Sequence, residues 1–565
     1  MSTNGYWQRR VNRRRMLVGS GTVAAGAVGL ALAGCGDDDD DDDDDDGGST
    51  PAASSPTASA AKPVAGGTYK VLGGPVGGLL DPHRSNTPYE VTMWHWVGNM
   101  VVRLGVKDGL PEADLAATMP EISGDGLELV FKVNPAAKWQ NKAPTNGRAV
   151  TAEDIKLSIE RIKNPETTSL RVSNYANVDS ITVVDPTTFK MKLKAPQADL
   201  LNLMGDTYDI VLPKEISSRG KEAVKTMEDV VGSGPYEMVA YEAGKGMTLK
   251  RRGDGHWKPD TAWLNDYQVV HQTDNQAIVN AMIAGETTAA SLPLDLIKQF
   301  DKNEKYQIGQ ATATTRQVLS VNQLKPPYDN PLVRQALWRA IDRKAIYEKV
   351  YGAGKPGGVM TPSATFWALP EAELAKLPGF GTRDAELAEA KKLLSAAGLP
   401  NGFEDKIMTA TAFQADQVCD VIISSLAPIG IKLTADNIGT DFTILVQRET
   451  KGDYTLAGTL RQSGPYPDAQ LLPFHHTSPT IGNRNYGKTG STELDAKLEK
   501  QRTIYDSKQR QALVYEIQRD IANNPGPAWL GSNMAFTVLV SSLQNFVATG
   551  FASGYNGAEN FWFKA

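Results

Sequence analysis

Two short segments of the chain carry residue types whose spacing could support phosphate or metal chemistry. The segment 482–489 fits the phosphate-loop pattern G-x4-G-K-[ST], in which the backbone amides of a glycine-rich loop cradle phosphate oxygens. That function needs a buried strand before the loop and a helix that begins at its lysine. Polar residues and Pro479 precede this segment, and Gly490 delays the next helix to about Ser491. We therefore predict an ordinary loop here.

His475 and His476 are the candidate metal ligands, because imidazole is a common ligand of transition metals. Adjacent side chains point apart in most backbone conformations, and no third ligand at a metal-binding spacing lies nearby. We therefore expect these histidines on the surface or at the rim of a cleft, with no metal bound. The segment Gly232–Gly234 lacks the spacing of a nucleophile elbow. The sequence thus predicts a protein without catalytic residues and without a cofactor.

The overall composition is that of a soluble globular protein long enough for two or three domains. The chain has 565 residues, of which 41% are hydrophobic and 22% are charged. Its net charge of −6 arises from an unbroken run of aspartates at 37–46, whereas residues 1–34 contain arginines and no acid. The rest of the chain is nearly neutral, which gives no electrostatic reason to expect nucleic acid as a partner.

Residues 1–34 have the pattern of an export signal, because a basic segment at 9–15 precedes an apolar stretch. Residues 12–17 resemble a twin-arginine export motif, and the sequence LAGC at 32–35 resembles the lipobox of bacterial lipoproteins. The resemblance implies cleavage before Cys35 and a diacylglycerol on its thiol. An uncleaved membrane anchor is the alternative. In both cases the body of the protein lies outside the cytoplasm.

Residues 35–65 are too polar and too acidic to bury apolar surface. Repulsion among the aspartates predicts a disordered, lipidated tether that holds the globular part away from the membrane. A calcium-binding tail is the alternative, but the run lacks the glycine turn and the spaced ligands of a calcium loop. The second cysteine, Cys419, lies in a helical pattern, so we expect a small buried apolar side chain there and no disulfide framework.

Strand and helix patterns alternate through the body of the chain, which predicts a mixed α/β protein. Alternating apolar residues predict a first strand at 66–72 and a hairpin at 181–193. Asn330 can cap a helix that has Pro331 in its first turn, and the apolar stripe of this helix runs out at Gly352.

A series of short motifs also follows the body of the chain in a fixed order. They are LDPH at 80–83, FKV at 131–133, VTAEDI at 150–155, GSGPY at 232–236, RGDGHW at 252–257, PYDNPLVRQAL at 327–337, AIDR at 340–343, AEAKKLL at 388–394 and YPD at 466–468. This order resembles that of the bacterial extracellular solute-binding proteins of family 5, the dipeptide- and oligopeptide-binding components of ABC importers. The resemblance covers roughly residues 66–565. Within the motifs we expect Asp342 and Arg343 to form a structural ion pair, with contact to the ligand as the alternative.

The resemblance implies an α/β fold of the type II periplasmic-binding-protein class, with two lobes, mixed sheets and a hinge cleft. The first lobe would comprise residues 66–312 and 534–565, and the second lobe residues 313–533. A ligand would lie between the lobes and be enclosed by hinge closure. Binding would then shift an equilibrium between open and closed states without breaking a bond.

The resemblance also implies a function in transport. The protein would be the substrate-binding lipoprotein of an ABC importer, which captures a small solute, peptide-like, oligosaccharide or other, and delivers it to the membrane permease. We expect a monomer held at the outer face of the cell membrane by its lipid. The alternatives are a surface receptor or chaperone-type binding protein and an anchored hydrolase. Some members of the family bind nickel, which keeps a metal at the two histidines as an alternative.

The chain departs from the family at one position of the cleft. Peptide-binding relatives have an aspartate just before the tyrosine of an Asp-Tyr-Pro-Asp-Pro motif, where it anchors the ammonium group of the peptide. Here that position is Pro465, which supplies no charge. A buried ammonium without a partner is costly, so an unmodified peptide requires another acid.

Five residues are the candidate ligand contacts: Tyr466, Arg461, Trp367, Asp468 and Trp96. Tyr466 and Trp367 could stack on the faces of a sugar or a peptide, with a core position as the alternative for Trp367. Arg461 could pair with an anionic ligand or lie in a solvated loop.

Overall fold

A computed structural model describes residues 62–73, 78–85, 92–169, 171–462, 464–550 and 557–564. The predicted export signal and Cys35 lie outside these residues. So does the predicted tether, apart from residues 62–65, which form no regular structure. Within the described ranges, no helix is both long enough and apolar enough to cross a membrane.

The predicted first strand and the predicted hairpin are both confirmed, as β1 and as β6 with β7. The strands of the described residues are β1 (Thr68–Gly73), β2 (Val102–Leu104), β3 (Pro111–Ala113), β4 (Glu121–Ile122), β5 (Glu128–Lys132), β6 (Val178–Asp185), β7 (Thr188–Leu193), β8 (Tyr236–Glu242), β9 (Gly246–Arg251), β10 (Asp266–His271), β11 (Ala289–Ser291), β12 (Tyr306–Thr312), β13 (Thr315–Val321), β14 (Gly354–Pro356), β15 (Phe403–Thr409), β16 (Ile431–Asn437), β17 (Leu456–Gln462), β18 (Ala528–Val540), β19 (Leu543–Gln544) and β20 (Trp562–Phe563).

Helices alternate with these strands along the chain, as expected for a mixed α/β protein. The α-helices of the described residues are α1 (Trp94–Val97), α2 (Ala152–Lys163), α3 (Leu200–Met204), α4 (Lys214–Ser217), α5 (Asn275–Ile283), α6 (Leu294–Ile297), α7 (Pro331–Ala340), α8 (Arg343–Ile346), α9 (Glu371–Leu374), α10 (Arg383–Ala396), α11 (Ala415–Leu426), α12 (Phe442–Lys451), α13 (Pro467–His475), α14 (Thr492–Arg502) and α15 (Ser507–Asn523). Cys419 lies on α11 as a free and buried cysteine, which confirms its predicted burial.

Most of the strands join one mixed sheet that has the long strand β18 near its middle. The strand order is β16-β15-β17-β13-β18-β11-β1-β10-β9-β8, and β12 and β14 also pair with β18. Strand β1 runs parallel to β10 and β11, whereas β18 is antiparallel to β11 and β13. A separate antiparallel sheet, β4-β5-β7-β6, packs with α2 around a smaller core.

Strand β18 changes its partners half-way along its length. Up to Asn533 it pairs with β13 and β14, and from Met534 onward it pairs with β12 and β11. Strands β12 and β13 are separated only by Ala313 and Thr314, whose amides donate to the carbonyls of Asn533 and Gly550 at 2.9 and 3.1 Å. The chain therefore passes between the two halves of the sheet at two adjacent points.

The apolar core divides in the same way. One large cluster of buried residues lies between residues 318 and 530 and surrounds β13, β17 and helices α7, α11 and α15. Three further clusters take their residues from 69–300 and 536–561. We call the part of the molecule around the first cluster the second lobe, and the part around the three other clusters the first lobe.

Helix α7 begins as the sequence predicts but ends earlier. The side chain of Asn330 accepts the amide of Leu332 at 2.9 Å, and Pro331 lies in the first turn, where a missing amide hydrogen costs nothing. The backbone of Ile341 is extended and stops the helix. The predicted continuation to Gly352 is therefore wrong, and shorter helical turns occupy that segment.

The expected ion pair between Asp342 and Arg343 is also wrong, because each residue has another role. The carboxylate of Asp342 caps α8 by accepting the amide of Ala345 at 2.9 Å. The guanidinium of Arg343 lies over the rings of Trp338 and Phe380, 4.7 Å from each centroid. Among the described residues, no carboxylate lies within ion-pair distance of Arg343. Aromatic faces thus take the place of the expected acid.

The segment 482–489 forms a loop, as the sequence predicts. The element before it is helix α13 and not a buried strand. A Cβ atom at Gly487 would lie 2.2 Å from the carbonyl oxygen of Val321, and one at Gly482 would lie 1.9 Å from that of His476. These two glycines therefore serve the close packing of backbone segments.

Trp96 lies in an aromatic cluster in the core of the first lobe. Its ring stacks on Tyr267 with 4.4 Å between centroids and on Tyr69 with 5.9 Å, while Tyr236 and Phe561 meet it edge-on. Its exposed fraction is 2%. The five rings come from distant parts of the sequence, so the cluster ties the start, the middle and the end of the first lobe together.

Replacing Trp96 should show a stabilising role of this ring. We expect Trp96→Ala to lower the free energy of unfolding by about 3–5 kcal/mol, because it removes a large buried side chain and leaves a cavity. Trp96→Phe should cost less. Urea unfolding followed by circular dichroism measures both losses. A Trp96→Ala protein with unchanged stability would contradict the role in the core.

Candidate ligand-binding site

The two lobes meet where the start of α3 in the first lobe faces α13 and α15 in the second lobe. The buried carboxylate of Asp199 accepts Nη1 of Arg510 and the amide of Asp468, each at 2.5 Å. An ion pair in such a water-poor setting is strong, provided that both charges stay paired. A groove of about 480 Å³ follows the boundary and is lined by parts of 176–196 and 496–503.

Backbone hydrogen bonds extend this contact between the lobes. The amide of Ala198 donates to the carbonyl of Arg502 at 2.7 Å. The hydroxyl of Tyr505 accepts the amide of Gln197 at 3.2 Å and donates to the carbonyl of Gly126 at 3.1 Å. The first-lobe segment around Asp199 is therefore held by its backbone as well as by its charge.

Asp468, one of the predicted ligand contacts, is bound to side chains of its own lobe. Its Oδ2 accepts Nε of Arg502 at 3.0 Å, and its Oδ1 accepts Nε2 of Gln501 at 2.7 Å. Nη2 of Arg510 lies 3.4 Å from Oδ1. Burial and the neighbouring carboxylate of Asp199 raise the pKa of Asp468 to about 6, and the two arginines oppose this shift. The structure places Asp468 in the charge network that joins the lobes.

Tyr466 stands directly before α13 and has an exposed fraction of 7%. Its ring fits against Gly464, where a Cβ atom would lie 2.5 Å from the ring carbon Cε1. In the part of the chain that the structure describes, its hydroxyl has no hydrogen-bond partner. Burial and the nearby carboxylates of Asp206, Asp199 and Asp209 raise the pKa of Tyr466. The phenol of the second lobe thus faces acids of the first lobe.

Asp206 and Asp209, which the sequence did not reveal as site residues, lie in a turn after α3. The exposed fraction of Asp209 is 4%. The hydroxyl of Tyr175 donates to its Oδ2 at 3.0 Å, while its Oδ1 has no partner among the described residues. Burial raises the pKa of both carboxyl groups, the charge of Asp206 raises the pKa of Asp209 further, and Arg171 opposes both shifts. Two acids that disfavour their own ionisation therefore lie side by side.

Other buried polar atoms near this face also lack a protein partner among the described residues, namely Oε1 of Gln197, Oδ1 of Asn202 and Nε1 of Trp367. Nδ2 of Asn202 donates to Asp199 at 2.6 Å, which fixes the orientation of the amide and leaves its oxygen as an acceptor. A buried polar group without a partner costs roughly 1–3 kcal/mol. Hydrogen-bonding capacity is therefore left unused in the buried part of this boundary.

Trp367 is buried in the second lobe beneath this face. The guanidinium carbon of Arg510 lies 5.1 Å from its ring centroid, and Phe366 meets it edge-on at 4.9 Å. Its carbonyl accepts Nε2 of Gln518 at 2.8 Å. The ring of Trp367 thus packs against the guanidinium of Arg510. Trp96, in contrast, lies inside the core of the first lobe described above. The structure does not bring these two tryptophans together.

Arg461 is buried on β17, so the alternative of a solvated loop is wrong. Its Nη2 donates to Oε1 of Glu449 at 2.6 Å and to Oγ of Ser320 at 3.1 Å. Its guanidinium carbon lies 5.4 Å from the ring centroid of Tyr486. Beside it is a cavity of about 20 Å³, which has room for a single water molecule. The charge of Arg461 is therefore paired within the second lobe.

The expectation that His475 and His476 lie at the surface or at a cleft rim is wrong, because both are buried. Nε2 of His475 accepts the indole N–H of Trp529 at 3.1 Å, and burial together with Arg316 lowers the pKa of His475 to about 3. His476 turns the other way, with its Nε2 at 3.1 Å from Glu499. In the described ranges, no three or more His, Cys, Asp or Glu side chains are grouped so as to hold a metal ion.

Solved structures with a similar fold include periplasmic binding proteins. HbpA2 from Haemophilus parasuis superposes with a TM-score of 0.77 at 22% identity and covers 88% of this chain and 100% of its own. The murein tripeptide binding protein MppA, in an unliganded open form, gives 0.75 at 18% identity, with 88% and 97% covered. A dipeptide binding protein from Pseudoalteromonas sp. SM9913 in complex with Met-Leu gives 0.65 at 19% identity, with 88% and 100% covered. The predicted two-lobed type II periplasmic-binding-protein fold is confirmed.

The sequence places the chain within this class of protein. The family model described as bacterial extracellular solute-binding proteins, family 5 Middle, matches residues 111–482. Because this match covers more than half of the chain, the protein belongs to the bacterial extracellular solute-binding proteins of family 5, as its motifs predict.

Curated relatives are about one quarter identical to the chain over the region that matches. The glutathione-binding protein GsiB of Pectobacterium atrosepticum is 26% identical over 317 residues, which are 55% of this chain and 58% of that protein. GsiB of Salmonella typhi is 27% identical over 325 residues, 56% and 60% of the two chains. The matched region thus spans about three fifths of the length of these relatives.

A double-mutant cycle on Asp199→Asn and Arg510→Met should reveal strong coupling across the lobes. We expect a coupling energy of about 2 kcal/mol, because either single change leaves a buried charge without its partner. Urea unfolding of the four proteins measures it. The exposed pair of Lys432 and Glu404, with 3.2 Å between its charged atoms, is the matched control and should couple by less than about 1 kcal/mol. Equal coupling in the two cycles would contradict the buried contact.

Proposed function

We propose that the protein is the substrate-binding component of an ABC importer. It captures a small solute between its lobes, encloses the solute by a hinge motion and delivers it unchanged to a membrane permease. Membership of a solute-binding family supports this proposal. The glutathione-binding relatives and the dipeptide-bound structural neighbour support a peptide-like solute of small size.

The observation that carries the proposal is the set of unpartnered polar atoms where the lobes meet. The first lobe contributes Gln197, Asn202 and Asp209, and the second lobe contributes Trp367. Because the groups come from both lobes, a solute bound to them bridges the lobes. Such a solute binds the closed state more tightly than the open state, which is what drives closure.

The hinge lies where the chain passes between the two halves of the large sheet. We assign residues 66–312 and 534–565 to the first lobe and residues 313–533 to the second. The change of partners along β18 and the short link between β12 and β13 support these boundaries. Rotation at two adjacent points leaves both cores intact, because few contacts change there.

The proposal includes an anchored position outside the cytoplasm. The family is one of extracellular binding proteins, and the sequence at 32–35 supports a lipid on Cys35. The tether at 35–65 then holds a monomeric body near the permease.

Mass spectrometry of the native protein tests the binding function. Protein purified from a bacterial host in rich medium should carry a solute that is released on denaturation and is recovered unaltered. Returning that solute at 100 times its dissociation constant to solute-free protein should add about 2.7 kcal/mol of stability, seen as a higher melting temperature. Small-angle scattering should show a smaller radius of gyration. Recovery of the solute as a reaction product would contradict the proposal.

Fractionation of cells tests the anchor. The Cys35→Ser variant should leave the membrane fraction, because membrane binding rests on acyl chains attached to that thiol. The Cys419→Ser variant is the control and should stay with the membrane, because Cys419 is buried on α11. Retention of the Cys35→Ser variant in the membrane would favour an uncleaved anchor instead.

A further inference from the structure

The contact between the lobes places two carboxylates, one from each lobe, around a single arginine. Asp199 comes from the first lobe, whereas Asp468 and Arg510 belong to the second. We propose that this contact is a proton-operated latch: Asp468 takes up a proton when the lobes close, so mildly acidic surroundings favour the closed state. The inference rests on the proposed hinge motion and adds its regulation by pH.

Direct hydrogen bonds join the two carboxylates across the boundary. Oδ1 of Asp199 accepts Nη1 of Arg510, and Oδ2 of Asp199 accepts the backbone amide of Asp468, each at 2.5 Å. Nη2 of Arg510 lies 3.4 Å from Oδ1 of Asp468. The side chains of Asp199 and Asp468 are 0% and 11% exposed. One guanidinium therefore serves an acid of each lobe in a setting that water screens poorly.

Closure changes the balance of charge around Asp468. The second lobe contributes the acids Asp468 and Glu499 and, bonded to them, the bases Arg502 and Arg510, so its own charges cancel. The first lobe adds the charge of Asp199. Among the described residues, no further lysine or arginine nitrogen lies within 4.0 Å of Asp199 or Asp468. The closed contact therefore holds one negative charge more than its arginines compensate.

A proton on Asp468 removes this excess charge. Asp199 already accepts three N–H donors, from Arg510, from Asn202 and from the backbone of Asp468, whereas Arg510 reaches Asp468 only at 3.4 Å. Burial and the charge of Asp199 raise the pKa of Asp468 to about 6, against the opposing effect of the two arginines. A neutral Asp468 leaves the charge of Arg510 to Asp199.

Three helices and the residue before α13 place charged or titratable groups against Asp468. The start of α3 presents Asp199, α14 presents Arg502 and α15 presents Arg510. The residue before α13 is Tyr466, a phenol whose pKa is raised by burial and by the nearby carboxylates. It therefore stays neutral in mildly acidic and neutral solution. Among these groups Asp468 is the one suited to exchange a proton there.

Opening of the lobes reverses the conditions at Asp468. Arg502 and Arg510 lie in the same lobe and stay with it, whereas Asp199 leaves and water enters. Both changes favour the ionised carboxylate, so its pKa falls from about 6 toward the ordinary range of an aspartate. The closed state thus binds the proton more tightly than the open state. Lowering the pH through about 6 favours closure, and raising it favours opening.

The same linkage acts on a bound solute. A solute that prefers the closed state gains from every shift toward closure. Because one pKa unit corresponds to a factor of ten, the ratio of closed to open protein should rise about tenfold between about pH 7.5 and about pH 5. The pH outside the cell would then set how readily the lobes close around a solute.

Small-angle scattering of the solute-free protein at these two pH values tests the latch, because closure lowers the radius of gyration. We expect the wild type to be more compact in acid, with the closed-to-open ratio raised about tenfold. Asp468→Asn carries no charge at either pH and keeps an oxygen acceptor for Arg502. It should be as compact at neutral pH as the wild type is in acid, and it should not respond to pH.

A second variant tests the latch from the other lobe. Asp199→Asn removes the acid that disfavours the ionised form of Asp468, so its radius of gyration should also lose the response to pH. Unlike Asp468→Asn it should not become more compact, because it also removes the partner of Arg510. The two variants therefore differ in the state that they favour and agree in the loss of the response.

Two further variants are the controls. Asp209→Asn neutralises another buried acid of the first lobe. His476→Gln removes an imidazole, the kind of side chain that ordinarily titrates in this range, whose Nε2 lies 3.1 Å from Glu499. Both should keep the pH response of the wild type. All these proteins carry the same run of aspartates at 37–46, so any response of that run cancels in the comparison.

The outcomes separate the latch from the binding function. A wild-type radius of gyration that is unchanged or larger in acid overturns the latch. A pH response that survives in Asp468→Asn, or that disappears in Asp209→Asn or His476→Gln, does the same. None of these results affects the binding function, which is contradicted only if the native protein carries no solute or returns it chemically altered.

Discussion

The ion pair between Asp199 and Arg510 is the interaction on which the meeting of the lobes depends. Both groups are buried, so parting them in a dry interface would leave two charges without compensation. The same carboxylate accepts the amide of Asp468, and the carboxylate of Asp468 in turn binds Arg502 and Arg510. One network thus joins the start of a first-lobe helix to three helices of the second lobe, and the lobes separate only when water replaces it.

Buried charges elsewhere in the protein are compensated within one lobe. Arg461 has Glu449 at 2.6 Å. Arg316 has no carboxylate partner among the described residues, but its guanidinium carbon lies 3.7 Å from the ring centroid of Trp529, and burial lowers its pKa to about 9. Asp209 has no basic side chain within ion-pair distance among the described residues, and its carboxylate accepts the hydroxyl of Tyr175.

The sequence predicted the features that depend on neighbouring residues, such as the start of a helix. It missed the side-chain contacts that depend on residues distant in the sequence. Asn330 and Pro331 start a helix through local capping, and the ordered motifs were enough to predict the fold. The guanidinium of Arg343 packs on the ring of Phe380, and His475 accepts the indole N–H of Trp529. These partners lie far away in the sequence. Asp209 is marked by no motif at all, because its importance comes from burial and from missing partners. Of the face between the lobes, the sequence therefore predicted Tyr466, whereas the burial of Asp209 follows only from the structure.

Strand β18 has a consequence for how the chain is made. The ribosome delivers the whole second lobe before it delivers residues 534–540, which complete the sheet of the first lobe between β11 and β12. Until then those two strands have open edges, which are able to pair with a neighbouring chain. The sheet of the nascent first lobe therefore stays incomplete while the second lobe is synthesised. During that time its exposed strand edges make it prone to aggregation.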